Sequence, residues 1–349
     1  MKAPFVWFGG KRRVAPEVWA ALGDVPNYIE PFAGSLAVLL GRPHDMSNGT
    51  RRAETVNDAD GFLANFWRAL AHDPEAVAHW CDWPVNEVDL FARHLWLVNT
   101  GRSRLLEGME ADPDFYDAQV AGWWVWGVNA WIGSGWCSGD GPWVDTGDGI
   151  GKRPHLGDAG QGVNRKRPHL GDAGQGVNRK LPHLGDAGQA GYNNMEYRPN
   201  VLGYFEELAG RLRDVRVCCG DWSRVCTSGA MSYGSSVGVF LDPPYLGDVR
   251  TADLYAVDDH TIAHAVRDWC LEHGDDPRLR IVLAGYRAEH DDLMPDTWRR
   301  HYYSASAAYS TTESAARQDG NHANRANEVL WFSPHCVTPD RQGQLWEAP

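Results

Sequence analysis

Four short segments carry residue types whose spacing suits chemistry. The first is Asp242-Pro243-Pro244-Tyr245, directly after the apolar run Val239-Phe240-Leu241. Ligands of open α/β sheets bind at the carboxyl ends of strands. The amino group of an aromatic ring is a poor nucleophile because its lone pair is delocalised. A site that alkylates it must draw both N–H bonds out of the ring plane. The Asp242 carboxylate and the Pro243 carbonyl offer two acceptors, the prolines stiffen the loop and remove backbone donors, and Tyr245 can stack on the ring. A proline-rich turn with a capping aspartate is the plain structural alternative.

The other three segments lie near the start. Tyr28-Ile29-Glu30-Pro31-Phe32-Ala33-Gly34-Ser35 reads as a strand ending in a tight turn, where Gly34 lets backbone approach a nucleotide-like ligand. Val56-Asn57-Asp58 ends the next strand, and an acid there can accept from two ribose hydroxyls. The alternative for Asp58 is an exposed cap on the helix around Phe62 to Leu70. In Trp7-Phe8-Gly9-Gly10-Lys11 the glycines bring backbone close and Lys11 adds a cation, although a lysine after two glycines is commonly only a turn.

Elements to position these residues are readable along the chain. A helix near Arg13 to Leu22, a strand ending at Glu30 and another ending near Asn57 open a parallel sheet. From Ala71 to Trp136 apolar residues recur at helical spacing without clear strands. The α/β pattern resumes at Val201 with a helix through Leu212, strands at Val215–Cys219 and Val237–Leu241, a helix near His260 to His273 and a strand at Arg280 to Ala284. Closing strands are expected near Arg300 to Tyr309 and at Glu328 to Phe332. Between the halves RPHLGDAGQGVNRK begins at Arg153, recurs at Arg167 and starts a truncated copy at Leu181. Each copy lacks a core-forming stripe, so a loop expansion or flexible arm is expected. His155, His169 and His183 recur with the copies, which explains them without a metal. The six tryptophans Trp123, Trp124, Trp126, Trp131, Trp136 and Trp143 suit either base stacking or, more commonly, burial.

Composition narrows the classes. The chain has 349 residues and a formal charge of −13, which argues against a generally sticky DNA binder. Lys152 to Gly191 nevertheless holds seven basic and three acidic residues, a local +4 against −17 elsewhere. Seven scattered cysteines show no zinc-finger spacing and read as reduced and structural. The first ten residues have neither a signal-peptide core nor a membrane-length apolar run, so a soluble cytoplasmic protein is expected.

Together the segments resemble one family, the Dam-like, alpha-group DNA N6-adenine methyltransferases: Trp-x-Gly-Gly-Lys, Glu-Pro-Phe-x-Gly, the ribose-binding acid, a target-recognition insert, then Asp-Pro-Pro-Tyr. The likeness spans roughly 1–70 and 200–335, and Asn327-Glu328-Val329-Leu330-Trp331-Phe332 looks like the last strand of phage-borne members, which points to a phage or prophage source. The resemblance implies a Rossmann-like class I fold that is α/β, with a discontinuous catalytic domain (1–70 and 200–335), a mainly helical insert (71–199, including the repeats at 153–190) and a tail (336–349). It implies S-adenosylmethionine as donor without a metal, double-stranded DNA as partner, and a bacterial or phage-infected cell; the oligomeric state does not follow from the sequence, with a monomer the favoured expectation. Trp7 and Lys11 would line the cofactor and target-base pocket, Phe32 and Gly34 the methionine end, and Asp58 the ribose. Asp221 and Trp222 would meet the cofactor's adenine, and Asp242, Pro243 and Tyr245 would receive the flipped base. Ser35 and Leu36 stand where many relatives carry a second glycine. RNA or protein-amide methylation and a catalytically silent DNA-binding relative are the competing readings. The target sequence and membership of a restriction-modification system do not follow from the motifs.

Overall fold

All four residues of β1 (Asn27–Glu30) are buried, as a strand covered on both faces requires. β1 lies inside the sheet in a computed structural model that describes residues 1–5, 7, 10–43, 52–112, 114–131, 136–137, 143–145, 150–152, 201–244, 259–303 and 328–338. The other strands are β2 (Ala53–Asp58), β3 (Val215–Cys219), β4 (Val237–Leu241), β5 (Leu279–Tyr286), β6 (Arg299–Tyr303) and β7 (Glu328–Phe332). Their order is β3-β2-β1-β4-β5-β7-β6, with β7 alone running against its neighbours. This seven-stranded mixed sheet with helices on both faces is the α/β, Rossmann-like arrangement expected from the sequence. Expected strands and observed ones agree closely, except that β6 is described only to Tyr303 and the expected continuation to Tyr309 lies outside the described residues.

Register sets the site. Ile29 pairs with Thr55 on one side and Val239 on the other, and Asp58 pairs with Cys219. The carboxyl ends of β1, β2, β3 and β4 therefore come out side by side. β1 is also where the chain turns from building the sheet toward β3 to building it toward β6, the place where such sheets open a crevice. Side chains alternate as a pleated strand demands: Tyr28, Val56, Phe240 and Val282 enter the core on one face, and Ile29, Val239, Leu241 and Ile281 enter that on the other.

Helices cover both faces. α1 (Ala15–Leu22), α2 (Ala37–Leu40), α3 (Gly61–His72) and α8 (Val201–Leu212) belong to one side, and α9 (Asp259–His273) to the other. The segment after α3 is helical as expected: α4 (Pro74–Cys81), α5 (Glu87–Trp96), a π-turn at Leu97–Gly101, α6 (Arg102–Ala111) and α7 (Ala118–Ala130). Aspartate and asparagine start these helices, with Asp60, Asp73, Asn86 and Asp117 accepting from the first-turn backbone. α4 and α7 pack on α3 and α8, so the helical segment shares one apolar core with the sheet. Its tryptophans mostly build that core: Trp124 is 2% exposed, its ring against Phe5 and Phe66, and Trp126 and Trp131 are also buried. Burial, rather than base stacking, is thus the fate of those three. A short antiparallel ribbon joins Trp143–Asp145 to Ile150–Lys152. The repeats with their three histidines lie outside the described residues. Among the described residues no helix is long and apolar enough to cross a membrane, and no group of three His, Cys, Asp or Glu is placed to hold a metal ion.

Candidate active site

The turn after β1 is held from below by β2. Ala33 N–H donates to the Asn57 carbonyl at 2.8 Å, and the Gly34 N–H donates to Asp58 Oδ2 at 2.9 Å. Asp58 Oδ1 accepts from Asp60 N–H at 2.9 Å. The helix cap is Asp60, not Asp58, since Asp60 receives Phe62 N–H at 2.8 Å. Asp58 is instead buried, with its carboxylate bound to the backbone of the glycine turn. Gly34 has φ +47°, and a Cβ there would lie 2.9 Å from Trp7 Cδ1. Both facts require glycine. The Gly34 carbonyl accepts from Trp67 Nε1 at 3.1 Å, closing a frame of Trp7, Gly34, Asp58 and Trp67.

Leu36 follows with φ +54°. A left-handed leucine is strained by about 1–2 kcal/mol. Its side chain is fully buried in the core, where burial worth about 1.5–3 kcal/mol offsets that strain. Leu36 thus holds a left-handed conformation of the kind glycine adopts without strain.

Asn57 fastens the neighbouring loops. Its Nδ2 donates to the Pro31 carbonyl at 3.0 Å and to the Gly220 carbonyl at 2.9 Å. Gly220 N–H in turn donates to the Asp58 carbonyl at 3.0 Å. The loop after β3 is therefore tied to the loop after β1. It carries Asp221, which accepts from Ser223 N–H at 2.9 Å and starts a 3₁₀ turn at Trp222–Val225. Trp222 stacks loosely on Phe32, with centroids 6.2 Å apart and planes 27° apart. Phe32 thus bridges the glycine turn and the Asp221-Trp222 segment.

At the end of β4, Asp242 Oδ1 lies 2.9 Å from Lys11 Nζ, with side-chain exposures of 18% and 5%. Lys11 opens a 3₁₀ turn at Lys11–Arg13 immediately before α1. Pro243 is buried beside Asp242. Tyr245 lies outside the described residues. Beneath this pair, Glu30 accepts from Tyr28 Oη at 2.9 Å and from Leu39 N–H at 3.3 Å. Burial pushes its carboxyl up to about 8, and the charges of Asp242 and Glu54 push the same way. Glu30 is therefore largely protonated at neutral pH.

Strand ends thus bring together Trp7, Gly34 and Asp58, then Phe32, Asp221 and Trp222, then Lys11, Asp242 and Pro243. Sequence reading had passed over Asn57 and Glu30 as site residues. Each had a signal, a polar side chain at the end of a strand expected inside the sheet, where burial obliges it to find partners.

Chemically the frame suits a nucleoside ligand. The glycine turn packs its backbone directly against the Trp7 ring, and a buried carboxylate stands at the end of the adjacent strand. Lys11 and Asp242 add a charge-balanced pair, largely screened from water. Residues 7–85 match the D12 class N6 adenine-specific DNA methyltransferase family. That stretch includes Trp7, Lys11, Phe32, Gly34 and Asp58, and ends before Asp221 and Asp242. No curated protein sequence matches the chain.

Proposed function

We propose that this chain, whose residues 7–85 match the D12 class N6 adenine-specific DNA methyltransferase family, transfers a methyl group from S-adenosylmethionine to the N6 amino group of adenine in double-stranded DNA. The observation that carries the reading is the Lys11–Asp242 pair at the end of β4, next to the glycine turn and buried Asp58 at the ends of β1 and β2.

S-adenosylmethionine supplies an electrophilic methyl on a sulfonium. The chain's own residues do the rest by positioning. Asp58 would accept from the ribose hydroxyls, Gly34 would admit the ligand past Trp7, and Phe32, Asp221 and Trp222 would bound the adenine end. Asp242 and the Pro243 carbonyl would accept the two N–H bonds of the target amine, bringing its lone pair toward the methyl. Lys11 fixes the rotation of the Asp242 carboxylate and balances its charge. Hydrogen bonds to the amine strengthen as positive charge develops on nitrogen, so preorganised acceptors lower the barrier. Tyr245 follows Pro244 directly and would stack on the extruded base.

We keep 71–199 as the target-recognition module and 1–70 with 200–335 as the catalytic domain. One site per chain suffices for this reaction, so a monomer in the cytoplasm of a bacterial or phage-infected cell is the simplest setting. The test is to incubate the protein with labelled S-adenosylmethionine and unmodified duplex, digest to nucleosides and identify the product by mass. Deoxy-N6-methyladenosine is the expected product. Label in RNA or protein only would move the acceptor, and no label anywhere would overturn the proposal.

A further inference from the structure

One surface away from the site has a charge opposed to the chain's overall balance. β3 is the outer strand on its side of the sheet and, among the described residues, pairs only with β2. Its far edge therefore presents backbone donors and acceptors without a neighbouring strand. Beside that edge an open groove of about 630 Å³ runs between α3 and α8, lined by Arg68, His72, Arg213 and Arg216 among others. His72, Arg213 and Arg216 are exposed. Arg216, Arg224 and Arg68 all lie near enough to Cys218 to counter the effect of burial on its thiol. The nearby carboxylates include Asp114 in the groove wall and Asp214 in the turn between the two arginines, and toward the end of β3 Asp58 and Asp60 act on Cys219. Four arginines thus converge on one edge of a chain whose formal charge is −13.

We propose that this groove holds the phosphate backbone of the DNA that flanks the target adenine. The inference rests on the reading of duplex DNA as the substrate, and it adds a contact remote from the base pocket. Guanidinium groups match phosphate oxygens in geometry as well as charge, and strand-edge N–H groups are further phosphate donors. Reach is sufficient. Arg216 precedes Cys219, the last residue of β3, by three residues, roughly 10 Å at about 3.3 Å per residue, and β4 with Asp242 lies three strands across, roughly 14 Å at about 4.8 Å per strand. Both are well under the ~34 Å of one duplex turn. Phosphate contacts carry no sequence information, so the groove sets affinity and salt dependence rather than target choice. A charged edge also keeps copies of a sheet from pairing, and the test separates that role.

The experiment compares the wild-type chain with the double variant Arg213→Gln, Arg216→Gln, both exposed positions, by titrating a long duplex over a range of salt. The same preparations are assayed for methyl transfer and for association state. If the groove binds phosphate, the variant binds the long duplex severalfold more weakly, and the slope of log affinity against log salt falls by roughly 2, about 0.9 for each lost contact. Turnover at saturating DNA stays unchanged. An unchanged affinity and slope, with or without aggregation of the variant, would overturn the groove while leaving the methyltransferase reading intact. A wild-type chain that binds duplex through these arginines but methylates none would do the reverse, and one that binds no duplex would remove both.

Discussion

Lys11 Nζ and Asp242 Oδ1 stand 2.9 Å apart, joining the turn before the first helix to the end of the fourth sheet strand. Neither side chain is well hydrated, so each depends on the other. Asp242→Ala should abolish methyl transfer with the fold intact, and Asp242→Asn should lower turnover by about two to three orders of magnitude, the usual loss for one preorganised electrostatic contact. Lys11→Met should in addition destabilise the chain by about 1–3 kcal/mol, because it removes the cation that balances a partly buried carboxylate. Single-turnover rates and thermal unfolding measure both effects. Retained activity in Asp242→Ala would end the assignment.

Glu30 gives the fold a pH dependence of unusual sign for a carboxylate. Its folded value is about 8 against an ordinary 4.5. Between those values the folded state holds a proton that the unfolded chain has released, so stability falls as pH rises from about 4.5 to 8. Below 4.5 both states are protonated and the contribution is complete. His290 acts oppositely. Burial lowers it from 6.5 to about 4, so its contribution is lost as pH falls through that range. Chemical unfolding at a series of pH values should show Glu30→Gln with a flatter or rising profile between pH 6.5 and 8, where His290 is silent. A wild-type profile unchanged by the substitution would show that Glu30 titrates normally.

The sheet was legible because its strands β4, β5 and β7 are mostly apolar on both faces, so Val239-Phe240-Leu241 could hardly be anything else, and because glycine, proline and aspartate punctuate the strand ends. Asp58 illustrates where sequence alone stopped. An acid at the end of a strand and just before a helix is equally a cap or a ligand holder, and only the three-dimensional path shows that Asp60 takes the cap and leaves Asp58 bound to Gly34. The tryptophans of α7 were ambiguous for a similar reason, since one helix is tryptophan-rich around most of its circumference and burial depends on α3, α4 and α5 closing around it. The Lys11–Asp242 contact was out of reach of spacing arguments, as no local rule pairs positions so far apart. Leu36 was legible only as a departure, because a positive φ leaves no mark in a leucine.

The glycine turn makes a contrasting pair of predictions. Gly34→Ala places a methyl group against Trp7 and forces alanine to φ +47°, at about 1–2 kcal/mol of backbone strain before the clash. Cofactor affinity should fall at least tenfold by calorimetry. Leu36→Gly relieves similar strain but empties a fully buried position. Large-to-small core substitutions of this kind cost about 2–5 kcal/mol, so the net change should be destabilising by about 1–3 kcal/mol. A stabilised Leu36→Gly would mean that the leucine contributes little to the core.

Asn57 separates binding from chemistry. It touches neither Asp242 nor Lys11 in any hydrogen bond, yet its amide joins the Pro31 and Gly220 carbonyls and so sets the spacing between the glycine turn and the Asp221-Trp222 segment. Asn57→Ala strands two buried carbonyl acceptors and should cost about 1–3 kcal/mol of stability. Asn57→Asp is the sharper variant. It keeps the size but sets a carboxylate against two carbonyl oxygens, so it should be at least as destabilising. If the clamp positions the adenine side of the cofactor pocket, both variants raise KM for S-adenosylmethionine far more than they lower kcat, because the acceptors for the target amine lie on a different strand. A fall in kcat with KM unchanged would instead place Asn57 in line with the reacting amine, and would require the two halves of the site to be coupled through β1.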